Sequence, residues 1–171
     1  MNALSPTTSR AFAPDPANSR LLRDAFGKFA TGVTVVTCAG TDGPLCITAN
    51  SFSSISLDPP LVMWAPGKAS RRFPLFRAAE HYAIHVLAAD QADLCWTCSR
   101  EAGALERFDH TTSEAGVPLI PSCLARFECT RVACHEAGDH VIVVGQVDRA
   151  EMRDGDALAF YAGTFGQFAQ N

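Results

Sequence analysis

The sequence predicts a mainly β protein with short α-helices, arranged as an antiparallel barrel of six or seven strands. Three observations favour this class. The 171 residues are 47% hydrophobic and 19% charged, a composition typical of one globular core. Short runs rich in β-branched residues are bounded by clusters of Gly, Pro, Asn, Asp and Ser. These runs follow one another through turns, whereas a parallel sheet requires regular alternation with helices.

Residues 1–17 are expected to form a flexible N-terminal arm. Pro6, Pro14 and Pro16 stand there among Ser, Thr and Ala, and the segment has no hydrophobic period. One domain is expected over residues 18–171, because neither an internal repeat nor a shift in composition divides this part of the chain. No catalytic role is assigned to the arm.

An amphipathic helix is predicted at the start of this domain. Asn18 or Ser19 provides a suitable N-cap, and Gly32 ends the helical pattern. Two shorter helices are predicted over residues 91–98 and 105–108. The apolar residues that recur at helical spacing in the first helix are Leu22, Ala25, Phe26, Phe29 and Ala30.

Strands are predicted where β-branched and aromatic residues cluster between turns. Pro59 and Pro60 lack the N–H groups that a ladder needs, so the chain is expected to leave the sheet there. The last strand is long enough to bend or to carry a bulge at Gly145. The predicted strands cover residues 33–38, 45–50, 61–64, 82–87, 125–132 and 140–151.

A segment of small and polar residues lies between two apolar strands. It reads ITANSFSSIS over residues 47–56. Hydroxyls, an amide and backbone N–H groups can together hold a phosphate or the polar edge of a heterocycle without much positive charge. An equally good interpretation is an edge strand whose hydroxyls face water.

A basic loop follows one strand later, at residues 67–72. It contains Lys68, one of two lysines in the chain, and two consecutive arginines. If the flanking strands are neighbours in the sheet, this loop lies beside the polar segment, and cation and hydroxyls together form an anion site. The alternative is a solvated basic turn that caps the following helix.

Two further patterns have a structural and a functional interpretation. His140 opens a predicted strand directly after Gly138 and Asp139, and a histidine in that place is more often structural than catalytic. Cys95 and Cys98 have CxxC spacing, but no second pair follows at zinc-site spacing, so no metal site is predicted. The seven cysteines are odd in number and irregularly spaced, which favours buried thiols over disulfides.

Several classes of protein are excluded. The net charge is −4 with both signs mixed along the chain, which leaves no basic surface for nucleic acid. No apolar run is long enough to span a bilayer, and the N-terminus lacks the hydrophobic core of a signal peptide. A cytoplasmic location is therefore expected. The glycine pattern of a Rossmann nucleotide site is also missing.

Three motifs together resemble the flavin reductase family. They are FATGVTVVT at residues 29–37, TANSFSSISLDPPLV at residues 48–62, and GDH at residues 138–140. The members of this family are short NAD(P)H:flavin oxidoreductases that accompany two-component flavin monooxygenases. The resemblance covers about residues 20–168 and implies an FMN-binding split β-barrel, in agreement with the strand pattern.

The resemblance also implies site residues. The family's S-x-T motif matches Ser70, with Arg72 at the Thr position, so these two residues are expected at the flavin phosphate, beside Lys68 of the anion site inferred above. His140 is expected on the nicotinamide side of the flavin as the catalytic residue, where it positions the nicotinamide or stabilises negative charge. The residues expected to contact the ribityl chain, the pyrimidine edge and the phosphate are Thr48, Ala49, Asn50 and Ser51, with Ser54 behind them.

Some positions depart from the family pattern. His85 stands where the family usually has Asn, and Trp96 and Thr97 replace a common Phe-Ala pair. The C-terminal residues 165–168, FGQF, resemble the family's aromatic segment, which packs near the flavin or the subunit boundary. A simple strand cap is an equal alternative for these four residues.

The function implied by the resemblance is NAD(P)H-dependent reduction of flavin. Hydride passes from NADH or NADPH to FMN or FAD, and the reduced flavin supplies a separate monooxygenase. A homodimer with flavin sites at the interface is also implied. Two alternatives remain open: a flavin-binding electron carrier without efficient nicotinamide oxidation, and a split-barrel binding protein adapted to another ligand.

Overall fold

The computed structural model describes residues 9–168 of the chain. Its helices are α1 (Ser19–Phe26), α2 (Phe73–Ala78) and α3 (Ala92–Arg100), with 3₁₀ turns at Pro16–Asn18, Ala89–Gln91 and Ala104–Arg107. Its strands are β1 (Thr31–Gly32), β2 (Thr34–Gly40), β3 (Gly43–Ala49), β4 (Ser53–Leu57), β5 (Pro60–Trp64), β6 (His81–Val86), β7 (Thr111–Thr112), β8 (Pro118–Leu119), β9 (Ala125–Ala137), β10 (His140–Met152), β11 (Ala157–Tyr161) and β12 (Thr164–Phe168).

The central element is a seven-stranded sheet in the order β3-β2-β6-β9-β10-β5-β4. Every neighbouring pair in it is antiparallel. The predicted fold class, a mainly β antiparallel protein with short helices, is therefore confirmed. Two smaller sheets, β1-β11-β12 and β7-β8, were not predicted from the sequence.

Strand β2 is buried on both faces. Successive side chains of a strand point to opposite sides, yet the neighbours Val35 and Val36 are both 0% exposed. This double burial explains why the run shows continuous β-branched residues and no polar alternation. On one face, β2 packs with α3 and β11 through Val35, Leu94 and Leu158. On the other, it packs with β5, β6 and β10 through Val36, Trp64, Ile84 and Val141.

The N-terminal helix is shorter than its apolar spacing predicts. It was expected to continue to Gly32, but α1 ends at Phe26. Gly27 accepts a hydrogen bond from the Ala162 N–H, and β1 pairs with β11, so pairing with a distant strand replaces the last helical turns. Of the predicted arm, residues 1–8 lie outside the described residues. Residues 9–15 precede the first 3₁₀ turn without regular structure.

Strands β9 and β10 form a long hairpin that carries the GDH motif at its tip. Strand β9 runs to Ala137, five residues beyond its predicted end, and pairs with β10 from His140 onward. The two-residue turn uses Gly138 at φ +65°, a conformation that glycine adopts without strain. The predicted irregularity at Gly145 is confirmed, because the register shifts there.

The helical predictions hold with small differences in type and length. The stretch predicted over residues 91–98 is α3, and the stretch predicted over 105–108 is a 3₁₀ turn, Ala104–Arg107. The double proline lies where β4 turns into β5, but only Pro59 leaves the ladder as expected, because Pro60 begins β5 and pairs with Leu57. Within residues 9–168, no helix is long and apolar enough to cross a membrane.

Candidate functional site

Two cavities share the segment of residues 48–50 at the end of β3. One, of about 190 Å³, opens beside His140 and is called the polar cavity because Thr48, Asn50 and Ser51 are among the residues that line it. The other, of about 290 Å³, is apolar and lies against the β11-β12 hairpin. The polar cavity is lined by Ile47, Thr48, Ala49, Asn50, Ser51, Trp64, Ala65, Pro66, Gly67 and His140. The apolar cavity is lined by Val33, Thr48, Ala49, Asn50, Phe160 and Phe165.

Hydroxyl groups of the shared segment and of the serine that follows it form hydrogen bonds to α3 and to the end of β5. Thr48 Oγ1 donates a hydrogen bond to the Cys95 carbonyl of α3, at 2.7 Å. Ser51 Oγ accepts the Ala65 N–H at 2.9 Å, which ties the segment to the end of β5. Both hydroxyl oxygens retain acceptor capacity toward a ligand. The hydroxyls therefore give the segment its shape as well as its polarity.

Asn50 is the exposed member of the segment. The strand ends just before it, and its side chain contributes to the lining of both cavities. A carboxamide offers two donors and one acceptor oxygen, so it can bind the mixed donor and acceptor edge of a heterocycle. The sequence placed Thr48, Ala49, Asn50 and Ser51 in one site, and the structure brings these four residues together around the polar cavity.

His140 lies at the rim of the polar cavity with its imidazole oriented by Asp139. Nδ1 is 2.8 Å from Asp139 Oδ1. A carboxylate only accepts hydrogen bonds, so Nδ1 carries the hydrogen and Nε2 is left for a ligand. This hydrogen bond from His140 also lowers the pKa of the Asp139 carboxyl below its ordinary value.

An aromatic cluster forms the wall of the apolar cavity. Phe165 packs edge to face against Trp96 with 5.1 Å between ring centroids, and it lies 5.2 Å from Phe160. The Arg100 guanidinium stacks over the outer face of Trp96 at 5.2 Å. Of the two interpretations of the C-terminal aromatic segment, the structure places Phe165 at the cavity. Phe160 was missed, because β11 carried no strand signal.

The residues predicted at the flavin phosphate make contacts within the protein. Lys68 Nζ binds the Gly138 carbonyl and the Glu136 carboxylate, each at 2.6 Å. Ser70 Oγ accepts the N–H of Arg72 at 3.2 Å. The Arg72 guanidinium donates to three carbonyls, those of Cys46, Cys98 and Ser99.

In the described residues 9–168, Lys68, Ser70 and Arg72 do not line either of the two cavities that share residues 48–50. The same holds for Ser54, which lies on β4 opposite Val62. The roles predicted for Ser54, Lys68, Ser70 and Arg72 in binding flavin stay predictions.

His85 has a structural role that the sequence did not reveal. It is 0% exposed; Nδ1 lies 3.0 Å from the Val35 carbonyl, and Nε2 accepts the Ile120 N–H at 3.1 Å. Burial lowers its pKa to about 3, so the imidazole is neutral and bridges β2 to the segment after β8. Cys95 and Cys98 are likewise core residues, and all seven cysteines are free thiols.

A larger cavity, of about 450 Å³, lies away from the GDH motif. Several of its charged residues already have partners within the protein: Arg126 contacts Glu128 and Glu151, and Asp148 accepts a hydrogen bond from the Thr130 hydroxyl. Charges that are already paired have little left for a ligand. The two cavities around residues 48–50 are therefore the better candidate site, although each is smaller.

Known proteins with the same arrangement identify the family. The family model for the flavin reductase like domain matches residues 26–169. The chain belongs to the flavin reductase family. The resemblance inferred from the three sequence motifs is thereby confirmed.

Individual members of the family are similar over nearly the whole chain. FMN reductase (NADH) SmoA of Agrobacterium fabrum is 51% identical over 170 residues, which cover 99% of this chain and 98% of SmoA. The reductase subunit HsaB of a flavin-dependent monooxygenase from Rhodococcus jostii is 32% identical over 161 residues, covering 93% of this chain and 83% of HsaB.

A solved structure of the family has the same fold. It is the Streptomyces globisporus NADH:FAD oxidoreductase SgcE6, in complex with NAD and FAD fragments. The TM-score is 0.85 at 36% identity, and the match covers 93% of this chain and 98% of that chain. The predicted split-barrel fold of the flavin reductases is confirmed by this likeness.

Proposed function

We propose that the protein is an NADH-dependent flavin reductase that supplies reduced flavin to a separate monooxygenase. The observation that carries the proposal is the segment of residues 48–50, with a polar cavity beside His140 on one side and an aromatic cavity on the other. SmoA is named an FMN reductase (NADH), and HsaB is named the reductase subunit of a monooxygenase. These names support both the activity and the separate partner.

The residues around the two cavities fit a flavin. Its ring system has a polar pyrimidine edge and an apolar benzenoid edge, so its site needs hydrogen-bonding groups on one side and apolar side chains on the other. The Asn50 carboxamide and the Ser51 hydroxyl provide the first, and Phe160 and Phe165 provide the second. When bound, the flavin supplies the hydride acceptor for reduced nicotinamide.

His140 is proposed to act on the nicotinamide side of the site. Asp139 holds Nδ1, so Nε2 accepts a hydrogen bond when the ring is neutral and donates one when it is protonated. In either state the ring orients a polar group of the nicotinamide or stabilises negative charge in the site. Hydride transfer needs no protein nucleophile, so positioning and water exclusion are the main contributions of the chain.

Finer properties are proposed from the similarity to SmoA and from the surface. The similarity to SmoA favours FMN over FAD and NADH over NADPH. Homodimerisation is proposed because large apolar side chains stand exposed, among them Phe29 at 78% and Leu57 at 96%, and a second copy would cover such surface. A cytoplasmic location and a single domain over residues 18–171 complete the proposal.

Steady-state oxidation of NADH and NADPH with each flavin tests the proposed function. The expected result is the highest kcat/KM with NADH and FMN on purified protein. Tight flavin binding with only slow NADH oxidation would indicate an electron carrier. A protein that binds neither flavin would belong to the third class, a split-barrel binder of another ligand.

The His140→Ala variant tests the assigned catalytic residue. We expect flavin reduction to slow about tenfold, because roughly 1.4 kcal/mol of transition-state stabilisation is lost with the imidazole. Flavin affinity should stay within about twofold of the wild-type value, since the flavin contacts are assigned to other residues. Stopped-flow absorbance of oxidised flavin measures the rate, and an unchanged rate would remove His140 from the mechanism.

A further inference from the structure

The tip of the β9-β10 hairpin is paired to the loop that follows β5. The Lys68 N–H donates to the Asp139 carbonyl at 2.8 Å, and the Val141 N–H donates to the Pro66 carbonyl at 3.2 Å. Between these bonds, Gly67 forms an antiparallel bridge with His140. The loop thus acts as a short extra strand alongside the residue that rims the polar cavity.

The side chain of Lys68 closes a second connection at the same place. Its ammonium donates to the Gly138 carbonyl in the turn and to the Glu136 carboxylate at the end of β9, each at 2.6 Å. Glu136 also contacts Arg77 of α2 at 3.1 Å. The hydrogen bond from Lys68 lowers the pKa of the Glu136 carboxyl, which keeps it ionised and the contact charged.

His140 packs directly against this loop. A Cβ atom placed on Gly67 would lie 3.3 Å from His140 Nε2, so the imidazole rests on the bare backbone of the glycine. The position of the ring therefore depends on how closely the hairpin tip approaches the loop. The Asp139 hydrogen bond fixes the rotation of the ring relative to the tip, but it does not fix the tip itself.

We propose that Lys68 is a positioning residue that holds His140 at the polar cavity. This inference rests on the proposed function, in which His140 acts on the nicotinamide. Lys68 spans the two sides of the junction, because its backbone belongs to the loop and its ammonium binds the turn and β9. Two of its three ammonium donors have protein acceptors, and Glu136 compensates its charge.

The proposal differs measurably from a role for Lys68 as a phosphate ligand. If Lys68 binds the phosphate, its replacement raises the dissociation constant of FMN and leaves that of riboflavin, which has no phosphate, unchanged. If Lys68 positions His140, its replacement slows the reduction of both flavins equally and leaves both affinities unchanged. Riboflavin and FMN together therefore separate the two roles.

The test uses Lys68→Met, with Lys28→Met as the matched control. Lys28, the other lysine of the chain, stands over the Tyr161 ring and away from both cavities. For Lys68→Met we expect single-turnover reduction by NADH to fall about fivefold with FMN and with riboflavin, and both dissociation constants to stay within about twofold. Lys28→Met should match the wild type, and Lys68→Arg should recover most of the rate.

A double-mutant cycle identifies the route of the effect. In a His140→Ala background, Lys68→Met should cause no further loss of rate, because the residue through which it acts is gone. Equal losses in both backgrounds would contradict the proposal, as would a rise in the FMN dissociation constant alone. Glu136→Gln weakens the same connection from the other side and should give the same pattern if Lys68→Met folds poorly.

A measurement on the ligand-free protein separates this inference from the proposed function. The imidazole NMR signals of His140, assigned with His140→Ala, should shift and broaden in Lys68→Met, while those of the buried His85 should not. Unchanged His140 signals would overturn the inference even in an active enzyme. A wild-type protein that fails to oxidise NADH with any flavin would instead overturn the proposed function.

Discussion

Two polar regions of this molecule differ in what their side chains contact. The segment of residues 48–51 lines the polar cavity. In the basic loop of residues 67–72, by contrast, Lys68 and Arg72 donate to protein acceptors, and Ser70 Oγ accepts the Arg72 N–H. From the sequence, both regions were assigned to the flavin. The comparison teaches that a side chain able to bind phosphate binds a backbone carbonyl equally well when one is nearer.

The difference follows from what surrounds each region. The 48–51 segment lies at the end of β3. The polar cavity lies on one side of it and the apolar cavity on the other. The basic loop lies beside the middle of β3 and the ends of β9 and α3, and the last carbonyls of a helix such as α3 have no partner within their own element. Arg72 satisfies two of these at the end of α3, which is where a cation is favoured.

Among substitutions at Arg72, His85 and Asn50, Arg72→Ala is expected to lower the free energy of unfolding most. Removing the guanidinium leaves three carbonyls without their charged donor, so the free energy of unfolding should fall by about 3 kcal/mol. Urea denaturation measures this loss. The flavin affinity of the folded variant should change by less than about twofold. A stable variant with greatly weakened FMN binding would show that Arg72 binds the phosphate.

His85 extends the comparison to histidines. Its pKa is about 3 in the folded protein and near 6.5 when unfolded, so the unfolded state takes up a proton first as pH falls. This contribution to stability is full above about pH 6.5 and decreases below it, by about 2 kcal/mol at pH 5. Urea denaturation at several pH values should show this loss.

His85→Asn provides the control for this pH dependence. An amide does not titrate, so the decrease between pH 7 and pH 5 should become smaller by the same amount. If the variant keeps the wild-type pH profile, groups other than His85 cause the decrease in stability between pH 7 and pH 5.

Asn50→Ala tests the 48–51 segment, and its free-energy change is expected to be smaller than those at Arg72 and His85. Loss of the carboxamide should raise the dissociation constant of FMN about tenfold, roughly 1.4 kcal/mol. Stability should change by less than about 0.5 kcal/mol, because the residue is exposed. Fluorescence titration measures the affinity. A loss of stability without a loss of FMN affinity would show that Asn50 has a structural role, like the side chains of the basic loop.

Sequence reasoning succeeded where local pattern and tertiary environment agree. The β-branched run of β2 and the strands before and after the GDH motif were predicted, whereas β4 and the last five residues of β9 were not. The β11-β12 hairpin was missed, because its turn is formed by Ala162 and Gly163, both at positive φ, and Ala gives no signal for such a turn. That omission also explains the error in the length of α1, since β11 is the strand with which β1 pairs.

The class of fold and the family follow from the sequence alone, because period, turn chemistry and motif order are written locally along the chain, whereas the role of residues 48–51 toward flavin stays a prediction. Only the tertiary structure decided which polar side chains remain available to a ligand. Hydrogen bonds are short and directional, so the partner of Lys68, Arg72 or His85 depends on groups that lie tens of residues away in sequence and within about 3 Å in space.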